Sequence, residues 1–355
     1  MSKYWSNLTR QLSPYVPGEQ PKDQVYIKLN TNENPYPPSP NVIRAIQEAA
    51  GASLRLYPDP ESTVLREKIA ARYGLSKEEV FVGNGSDEVL ALAFQAFFDP
   101  DQPVLFADIT YSFYKVYIQL HELKAEIIPL RDDFQLDVEA YQKRANGGIV
   151  IANPNAPTGI EVPLTDIERI VQQNPDSVVL VDEAYVDFGG RSAVSLIRQY
   201  PNVLVVQTLS KSRSLAGLRV GFALGQAELI EGLNRVKNSF NSYPIDRLAQ
   251  AGAIAAIEDE AYFQETTEKV IRTRQWVTEE LRQMGFEVLP SQTNFVFARL
   301  ADRSGAELQQ KLKEHGVLVR HFAQPRIDDY LRITIGTDEE MRNMLNALKQ
   351  RVLMR

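Results

Sequence analysis

Short apolar runs alternate with amphipathic segments between residues 42 and 243. The runs are rich in β-branched residues, and several are followed by stretches with helical spacing of apolar positions, including 86–98, 111–123 and 164–173. This alternation predicts an α/β fold in which helices cover both faces of a mostly parallel sheet. The predicted strands are residues 80–82, 104–106, 149–151, 178–181 and 203–206.

The pattern changes after about residue 244. A helical region at 245–284 is interrupted near Asp259, and shorter segments follow it. These segments predict strands at 293–300, 317–320 and 331–335, a helix at 306–315 and a last helix that begins near Asp338. We therefore predict a large domain at 41–243 and a smaller α+β domain at 244–355.

Prolines are concentrated between residues 34 and 40. Proline fixes φ and lacks a backbone donor, so this stretch is not expected to be regular helix. We expect residues 1–40 to form an extended arm that packs with the small domain.

The net charge and the amino-acid composition exclude several functional classes. A net charge of -7 gives no basic face for nucleic acid or for an anionic membrane surface. Cysteine is absent and no two of the three histidines are four residues apart, so we expect no disulfide, no cysteine nucleophile and no metal site. The sequence contains no signal-peptide pattern and no apolar stretch long enough to span a membrane. These features predict a cytoplasmic protein, and an enzyme and a binding protein fit them equally well.

In a sheet of this kind, ligands bind beyond the carboxyl ends of the strands. The strand at 80–82 runs into a glycine turn and then into Ser86 and Asp87, which begin a helix. The free N–H groups and the positive dipole at such a helix start suit a phosphate. A glycine turn with an ordinary helix cap would give the same sequence, and the third glycine of the dinucleotide fingerprint is missing.

Two further strand ends carry charged residues. Asp182 ends the run at 178–181, and Lys211 follows the run at 203–206 among hydroxyl residues. Arg219 lies between two glycines and suits bidentate phosphate binding. A helix cap, a metal ligand or a surface lysine would each explain one of these residues alone. Together they meet the needs of pyridoxal phosphate, which are a lysine for its aldehyde, an acid for its ring nitrogen and a phosphate cradle.

The chain resembles the class I and II aminotransferases, which are pyridoxal-phosphate enzymes of fold type I. Within them it is most similar to the histidinol-phosphate aminotransferase group, through residues 29–35, 55–59, 85–88 and 331–337. The motifs that carry the wider resemblance occur in the family's order and are Asn153-Pro154-Asn155-Ala156-Pro157-Thr158-Gly159, Asp182-Glu183-Ala184-Tyr185, Ser210-Lys211-Ser212 and Gly217-Leu218-Arg219-Val220-Gly221.

The resemblance implies a role for each residue at the cofactor. Lys211 holds it as a Schiff base and moves the substrate proton, Asp182 pairs with its ring nitrogen, and Tyr185 reaches its phenolic oxygen. The remaining cofactor contacts implied are Tyr111 stacked on the ring, and Ser86, Asp87, Thr208, Ser210 and Arg219 at the phosphate. Tyr57 is implied to reach that phosphate from the other subunit, which makes the protein a homodimer with shared sites.

One position departs from the family. The asparagine that usually precedes the Pro-Thr-Gly of the first motif is Ala156 here, with Asn155 before it. Either Asn155 takes over the bond to the phenolic oxygen or Tyr185 acts there alone, and we favour Asn155.

The resemblance also implies a substrate pocket and a reaction. Arg332 holds a carboxylate, and the phosphate end is lined by Arg320 with Tyr15, Asn32, Tyr243 and Asn294. The reaction is amino transfer from glutamate to imidazole-acetol phosphate, which gives 2-oxoglutarate and L-histidinol phosphate in histidine biosynthesis. The alternatives are an aromatic aminotransferase or a threonine-phosphate decarboxylase of the same fold, and a non-catalytic cofactor-binding regulatory domain.

Overall fold

The computed structural model describes residues 2–142 and 144–352. Within them, the strands are β1 (Ile27–Lys28), β2 (Val80–Asn84), β3 (Pro103–Ala107), β4 (Lys124–Ile128), β5 (Gly148–Ala152), β6 (Val179–Asp182), β7 (Val203–Thr208), β8 (Val220–Gly225), β9 (Glu287–Val288), β10 (Phe295–Arg299), β11 (Val317–Leu318), β12 (Arg320–His321) and β13 (Tyr330–Thr334).

The helices complete the list of elements. They are α1 (Asn7–Gln11), α2 (Pro40–Ala49), α3 (Thr63–Tyr73), α4 (Gly85–Phe97), α5 (Phe113–Leu120), α6 (Leu164–Gln173), α7 (Ala227–Phe240), α8 (Arg247–Glu258), α9 (Glu260–Gln283), α10 (Gly305–Glu314) and α11 (Asp338–Ala347). Short 3-10 turns lie at Ala52–Arg55, Lys77–Glu79, Val138–Tyr141, Val186–Phe188, Ala193–Leu196 and Ala216–Leu218, and a π-helical turn at Leu348–Val352.

In the described part of the chain, the large sheet has seven strands in the order β2-β8-β7-β6-β5-β3-β4. Strand β8 is antiparallel to β2 and β7, and the other pairs are parallel. The predicted α/β fold with a mostly parallel sheet is confirmed. Every residue of β5, β6, β7 and β8 is buried, as expected for β-branched strands covered on both faces.

The two faces of this sheet form separate apolar cores. Because side chains alternate along a strand, Val179 and Val181 of β6 pack in one core and Leu180 packs in the other. The first core is closed by α2, α3, α6 and α8, and the second by α4, α5 and α7. The edge strand β4 is partly exposed and was not expected from the sequence, since its charged residues interrupt the apolar pattern.

Helices α8 and α9, which follow the predicted domain boundary at residue 244, pack in different apolar cores. The apolar residues of α8, such as Ala249 and Ala253, lie in the core of the large domain. In α9 the later residues Val270 and Val277 pack instead with the second sheet, whose strand order is β12-β13-β10-β9. The change from one apolar core to the other therefore falls within α9.

The arm joins the small domain through a short parallel pairing of β1 with β11. It is not entirely extended, because α1 forms near its start and α2 begins at Pro40, a residue that is tolerated in the first helical turn. The predicted strand at 317–320 is divided, since β11 pairs with the arm and β12 pairs with β13. Among the described residues, no helix combines the length and the apolar character needed to cross a membrane.

Candidate active site

A cavity of about 640 Å³ opens where the arm, the large domain and the small domain meet. Strands β6 and β7 are parallel neighbours, so their carboxyl ends lie at the same edge of the sheet. The cavity lies beyond that edge. The sequence-predicted residues that line it are Tyr15, Asn32, Ser86, Asp87, Tyr111, Asp182, Tyr185, Thr208, Ser210, Lys211, Arg219, Arg320 and Arg332.

Asp182 is the acid at the base of this cavity. It is the last residue of β6 and is only 6% exposed. Its carboxylate accepts hydrogen bonds from the Tyr114 hydroxyl, at 2.7 Å, and from the backbone N–H of Ala184, at 3.3 Å. Burial raises the pKa of Asp182 to about 6, although both hydrogen bonds oppose that rise. A buried carboxylate of this kind is suited to a cationic partner in the cavity.

Lys211 reaches the same cavity from the turn after β7. Its Nζ lies 3.5 Å from the Thr31 carbonyl oxygen and 5.9 Å from the centre of the Tyr185 ring. A lysine amine and a buried acid therefore face one space, as the combination of strand ends predicted. This is the arrangement on which the cofactor prediction depends.

Hydrogen-bond donors converge at the start of α4. No side chain caps this helix, so its first N–H groups are free to bind an anion. The Arg219 guanidinium lies beside them and pairs with Asp87 at 3.0 Å. Ser210 lines the same end of the cavity, and the Thr208 hydroxyl donates to its Oγ at 3.0 Å. This donor set fits a phosphate group.

Close backbone packing holds that cradle together. Gly221 of β8 faces Thr208 of β7, and a Cβ at position 221 would overlap the backbone of Gly85 and Ser86. Arg219 has a φ of 54°, in the left-handed region that a non-glycine residue seldom adopts. The chain therefore turns sharply between the 3-10 turn and β8, and the turn brings the guanidinium to the start of α4.

Tyr111 forms a wall of the cavity next to the cradle. Its hydroxyl donates to the Asp87 carboxylate at 2.9 Å, and its ring meets that of Tyr114 edge-on at 5.6 Å. Burial, followed by the nearby Asp87 charge, raises the pKa of Tyr111, so its hydroxyl remains protonated. Its ring is fixed by these two contacts and can stack on a planar ligand.

Two arginines form the opposite wall. Arg320 and Arg332 are register partners on β12 and β13, and both line the cavity. Among the described residues neither forms a salt bridge; Arg332 donates to the Asn30 carbonyl at 3.0 Å and leaves its buried Nε without a partner. Burial lowers the pKa of Arg332, and the Arg320 charge adds to that effect. Two neighbouring cations without acids are suited to an anionic ligand.

Four predicted site residues lie outside the cavity. Asn155 is turned away from it, because its amide donates to the Ile109 carbonyl at 3.0 Å and to the Thr158 hydroxyl at 3.0 Å while its oxygen accepts from Thr110. These contacts do not favour the prediction that Asn155 takes over the bond that the usual asparagine forms with the phenolic oxygen. Asn294 is fully buried behind Asn32 and donates to its carbonyl at 2.9 Å.

Tyr57 and Tyr243 lie apart from the cavity on the surface. Their rings stack with centroids 4.7 Å apart, and Tyr57 is 78% exposed. Neither tyrosine contributes to the cavity of its own chain.

Sequence reasoning missed the Tyr114 hydroxyl, the Thr31 carbonyl and His321, which all contact Asp182, Lys211 or the cavity. Tyr114 is one of four aromatic residues at 111–117, and helical spacing does not single it out. The Thr31 carbonyl belongs to the backbone and leaves no signal in the sequence. His321 follows Arg320 on β12, and successive side chains of a longer strand point to opposite faces, but this strand has only two residues.

A family model described as aminotransferase class I and II matches residues 24–348. The chain is 58% identical over 350 residues to a histidinol-phosphate aminotransferase of Clostridium botulinum strain Langeland, with 99% of each chain covered. It is also 58% identical over 353 residues to histidinol-phosphate aminotransferase 2 of Dechloromonas aromatica, again with 99% of each covered.

A solved structure gives the same result for the fold. The crystal structure of histidinol-phosphate aminotransferase from Sinorhizobium meliloti, in complex with pyridoxal-5'-phosphate, matches with a TM-score of 0.89 and 27% identity. The match covers 100% of this chain and 99% of that one.

Proposed function

The chain belongs to the class I and II aminotransferase family, and from this premise we propose that it transfers the amino group of L-glutamate to imidazole-acetol phosphate, with pyridoxal phosphate as cofactor. The products are 2-oxoglutarate and L-histidinol phosphate, in a step of histidine biosynthesis. The observation that carries the proposal is that the buried Asp182 carboxylate and the Lys211 amine face one cavity. The substrate is inferred from relatives named histidinol-phosphate aminotransferase that share 58% identity over nearly the whole chain.

The residues present fit the cofactor. The uncapped start of α4, Arg219 and the hydroxyls of Thr208 and Ser210 would hold its phosphate, and Tyr111 would stack on its ring. When bound, pyridoxal phosphate supplies an aldehyde that combines with amines and a ring that accepts electrons from the substrate Cα.

The Asp182 carboxylate would stabilise a positive charge on a ligand at the base of the cavity. Its carboxylate is buried, is fixed by Tyr114, and is costly to ionise without a cation nearby. A protonated ring nitrogen would supply that cation, and the ion pair would hold the proton on the ring.

Lys211 moves the proton at the substrate Cα. With cofactor and substrate bound, its amine would serve as general base and then as general acid for that proton. The flexible lysine stem reaches the cavity from the turn after β7. The neighbouring Tyr185 ring limits where the stem can go, since the Nζ lies 5.9 Å from its centre.

Arg320 and Arg332 bind the anionic end of each substrate. In glutamate this end is the carboxylate on the reacting carbon, and in histidinol phosphate it is the phosphate ester one carbon away. A guanidinium pair without acidic partners in the described residues accommodates either group, and a phosphate dianion makes use of both cations.

A homodimer would complete the site. Tyr57 is exposed and stacks on Tyr243, and Leu54, Leu56 and Phe240 are also more than half exposed. Exposed apolar side chains in this number are typical of a protein interface. We propose that a second copy covers them, and that Tyr57 then reaches the cofactor phosphate of the partner subunit.

The test is a single-turnover assay of the cofactor-loaded protein, followed by the cofactor's visible absorbance. We expect L-histidinol phosphate and L-glutamate each to discharge the absorbance of the lysine-bound cofactor. Phenylalanine and threonine phosphate should react far more slowly. Lys211→Ala should abolish both turnover and that absorbance, because no other lysine lines the cavity among the described residues.

Three outcomes would contradict the proposal. Retention of turnover by Lys211→Ala would exclude Lys211 as the reacting amine. Release of CO2 from threonine phosphate would favour the decarboxylase of the same fold. DNA binding without transamination would favour a regulatory domain.

A further inference from the structure

Asn32 connects the arm to the Tyr185 hydroxyl. It is 1% exposed and has a φ of 57°, a left-handed conformation that asparagine tolerates better than most residues. Its Nδ2 donates to the Tyr185 hydroxyl at 2.9 Å. Its backbone N–H donates to the Thr334 hydroxyl oxygen at 3.0 Å, and Asn294 binds its carbonyl from behind.

The direction of each hydrogen bond in this group follows from elementary donor rules. The Asn32 backbone N–H can only donate, so the Thr334 oxygen accepts from it. The Thr334 proton then goes to the Asn32 Oδ1, at 2.9 Å. In the reverse orientation, the side-chain NH2 and the backbone N–H of Asn32 would both point at the Thr334 oxygen. The buried hydroxyl proton of Thr334 would then have no acceptor. The amide group that faces Tyr185 is therefore the NH2.

This orientation fixes the behaviour of Tyr185. Because the Asn32 NH2 only donates, the Tyr185 oxygen accepts from it, and the tyrosine's own proton must point elsewhere. Tyr185 lines the cavity, so an acceptor on a ligand there is the available partner. The two nearest alternatives along the chain offer no donor, since Asn155 is bonded away from the cavity and Ala156 has only a methyl group.

We propose that Asn32, oriented by Thr334, is a positioning residue that sets the Tyr185 hydroxyl as a donor to the phenolic oxygen of the cofactor. The inference rests on the proposed function for the identity of the cofactor. It gives Asn32 a role different from the substrate contact expected from the sequence. It also assigns the arm a part in tuning the cofactor in addition to covering the cavity.

A hydrogen bond donated to the phenolic oxygen stabilises negative charge there. It thereby weakens the hold of that oxygen on the proton of the neighbouring lysine-bound nitrogen, and the pKa of the lysine-bound cofactor falls. Loss of the donor should raise that pKa. A hydrogen bond to a charged group corresponds to a rise of about one pH unit.

The experiment is a pH titration of the visible absorbance of the cofactor-loaded protein, without substrate. Asn32→Gly removes the side chain without strain at a positive φ, and Thr334→Val removes the hydroxyl that orients the amide. Both variants should raise the midpoint by about one pH unit, in the same direction as Tyr185→Phe. The charged and titratable groups of the cavity are the same in every variant apart from Tyr185 itself, and they are Glu33, Asp87, Tyr111, Asp182, Lys211, Arg219, Arg320, His321, Arg332 and Tyr15.

Two matched controls separate positioning from loss of structure. Thr334→Ser keeps the hydroxyl and should restore the midpoint of the unaltered protein. Asn41→Ala removes another asparagine side chain, one that bonds to Asp259 on the surface, and should leave the midpoint unchanged.

Two results would overturn the inference. One is an unchanged midpoint in both Asn32→Gly and Thr334→Val. The other is a further rise when Asn32→Gly is combined with Tyr185→Phe, because the effect of Asn32 must act through that hydroxyl. A failed cofactor prediction looks different, since the unaltered protein would then have no visible absorbance to titrate.

Discussion

At the scale of single residues, Asp182 shows how the catalytic role that we propose for it and the stability of the fold oppose each other. Its pKa rises from 3.8 to about 6 through burial, and the adjacent Glu183 rises to about 7 for the same reason. Each carboxyl keeps its proton in the folded protein over a pH range where the unfolded chain has lost it. Stability from these groups is therefore present at low pH and decreases as the pH rises towards the folded pKa.

We predict that Asp182→Asn stabilises the cofactor-free protein at pH 8 and abolishes transamination. Above the folded pKa, the buried carboxylate is ionised and disfavours folding by an amount on the order of 3 kcal/mol. The asparagine carbonyl still accepts from Tyr114 without that charge. Thermal unfolding at pH 8 and pH 5 measures the effect, which should be larger at pH 8.

The exposed Asp132 provides a control for that prediction. Asp132→Asn should change the unfolding temperature little at either pH, because its carboxylate is solvated in both states. A stabilisation by Asp182→Asn that is equal at pH 5 and pH 8 would indicate that charge burial is not its cause.

At the scale of secondary structure, the sequence was most informative where strands are buried on both faces. The strands around 149–151, 178–181 and 203–206 were predicted because continuous β-branched runs are typical of strands that are buried on both faces. Their order located Asp182 and Lys211 at one edge of the sheet. Strand β4 was missed because the charged residues Lys124 and Glu126 interrupt its apolar pattern.

The direction of side chains was less predictable than the position of elements. Asn155 belongs to a family motif, yet its amide bonds to the carbonyl of Ile109, a residue 46 positions earlier in the chain. Likewise, Tyr114 and Thr334 gain their importance from partners on other elements, Asp182 and Asn32. Such pairings depend on tertiary packing, and local spacing does not encode them.

We predict that Gly221→Ala weakens the binding of pyridoxal phosphate about ten- to a hundredfold. A Cβ at this position would overlap the backbone of Gly85 and Ser86, so β8 and the start of α4 must separate. The displaced N–H groups and Arg219 would lose part of their hydrogen bonding to the phosphate, which corresponds to about 1.5–3 kcal/mol. Titration of the cofactor-free protein with pyridoxal phosphate measures the dissociation constant.

Gly217→Ala is the matched control for this prediction. It lies four residues earlier in the same motif, and a Cβ there would have nothing within 4 Å. The two variants should differ in cofactor affinity by at least about tenfold if the cradle depends on close packing. Equal dissociation constants would mean that the contact between β8 and α4 is not needed for phosphate binding.

At the scale of the whole molecule, three parts of the chain form one cavity. The large domain provides the acid, the lysine and the phosphate cradle, and the small domain provides Arg320 and Arg332. The arm pairs with the small domain through β1 and contributes Asn32. Tyr57 is one of the four predicted site residues that lie outside the cavity of this single chain, and the proposed homodimer would bring it to the partner's site.

We predict that two defective variants restore activity when they share a dimer. In a mixed dimer of Lys211→Ala with Tyr57→Ala, one site carries both defects, while the other combines Lys211 of one subunit with Tyr57 of the other. Random reassembly of equal amounts makes half of the dimers mixed, so about a quarter of all sites are intact. Activity of the reassembled mixture, compared with each variant reassembled alone, measures this gain. If Tyr57 instead served its own chain, each mixed dimer would keep one site without the lysine and one without the tyrosine, and the mixture would only average the two variants.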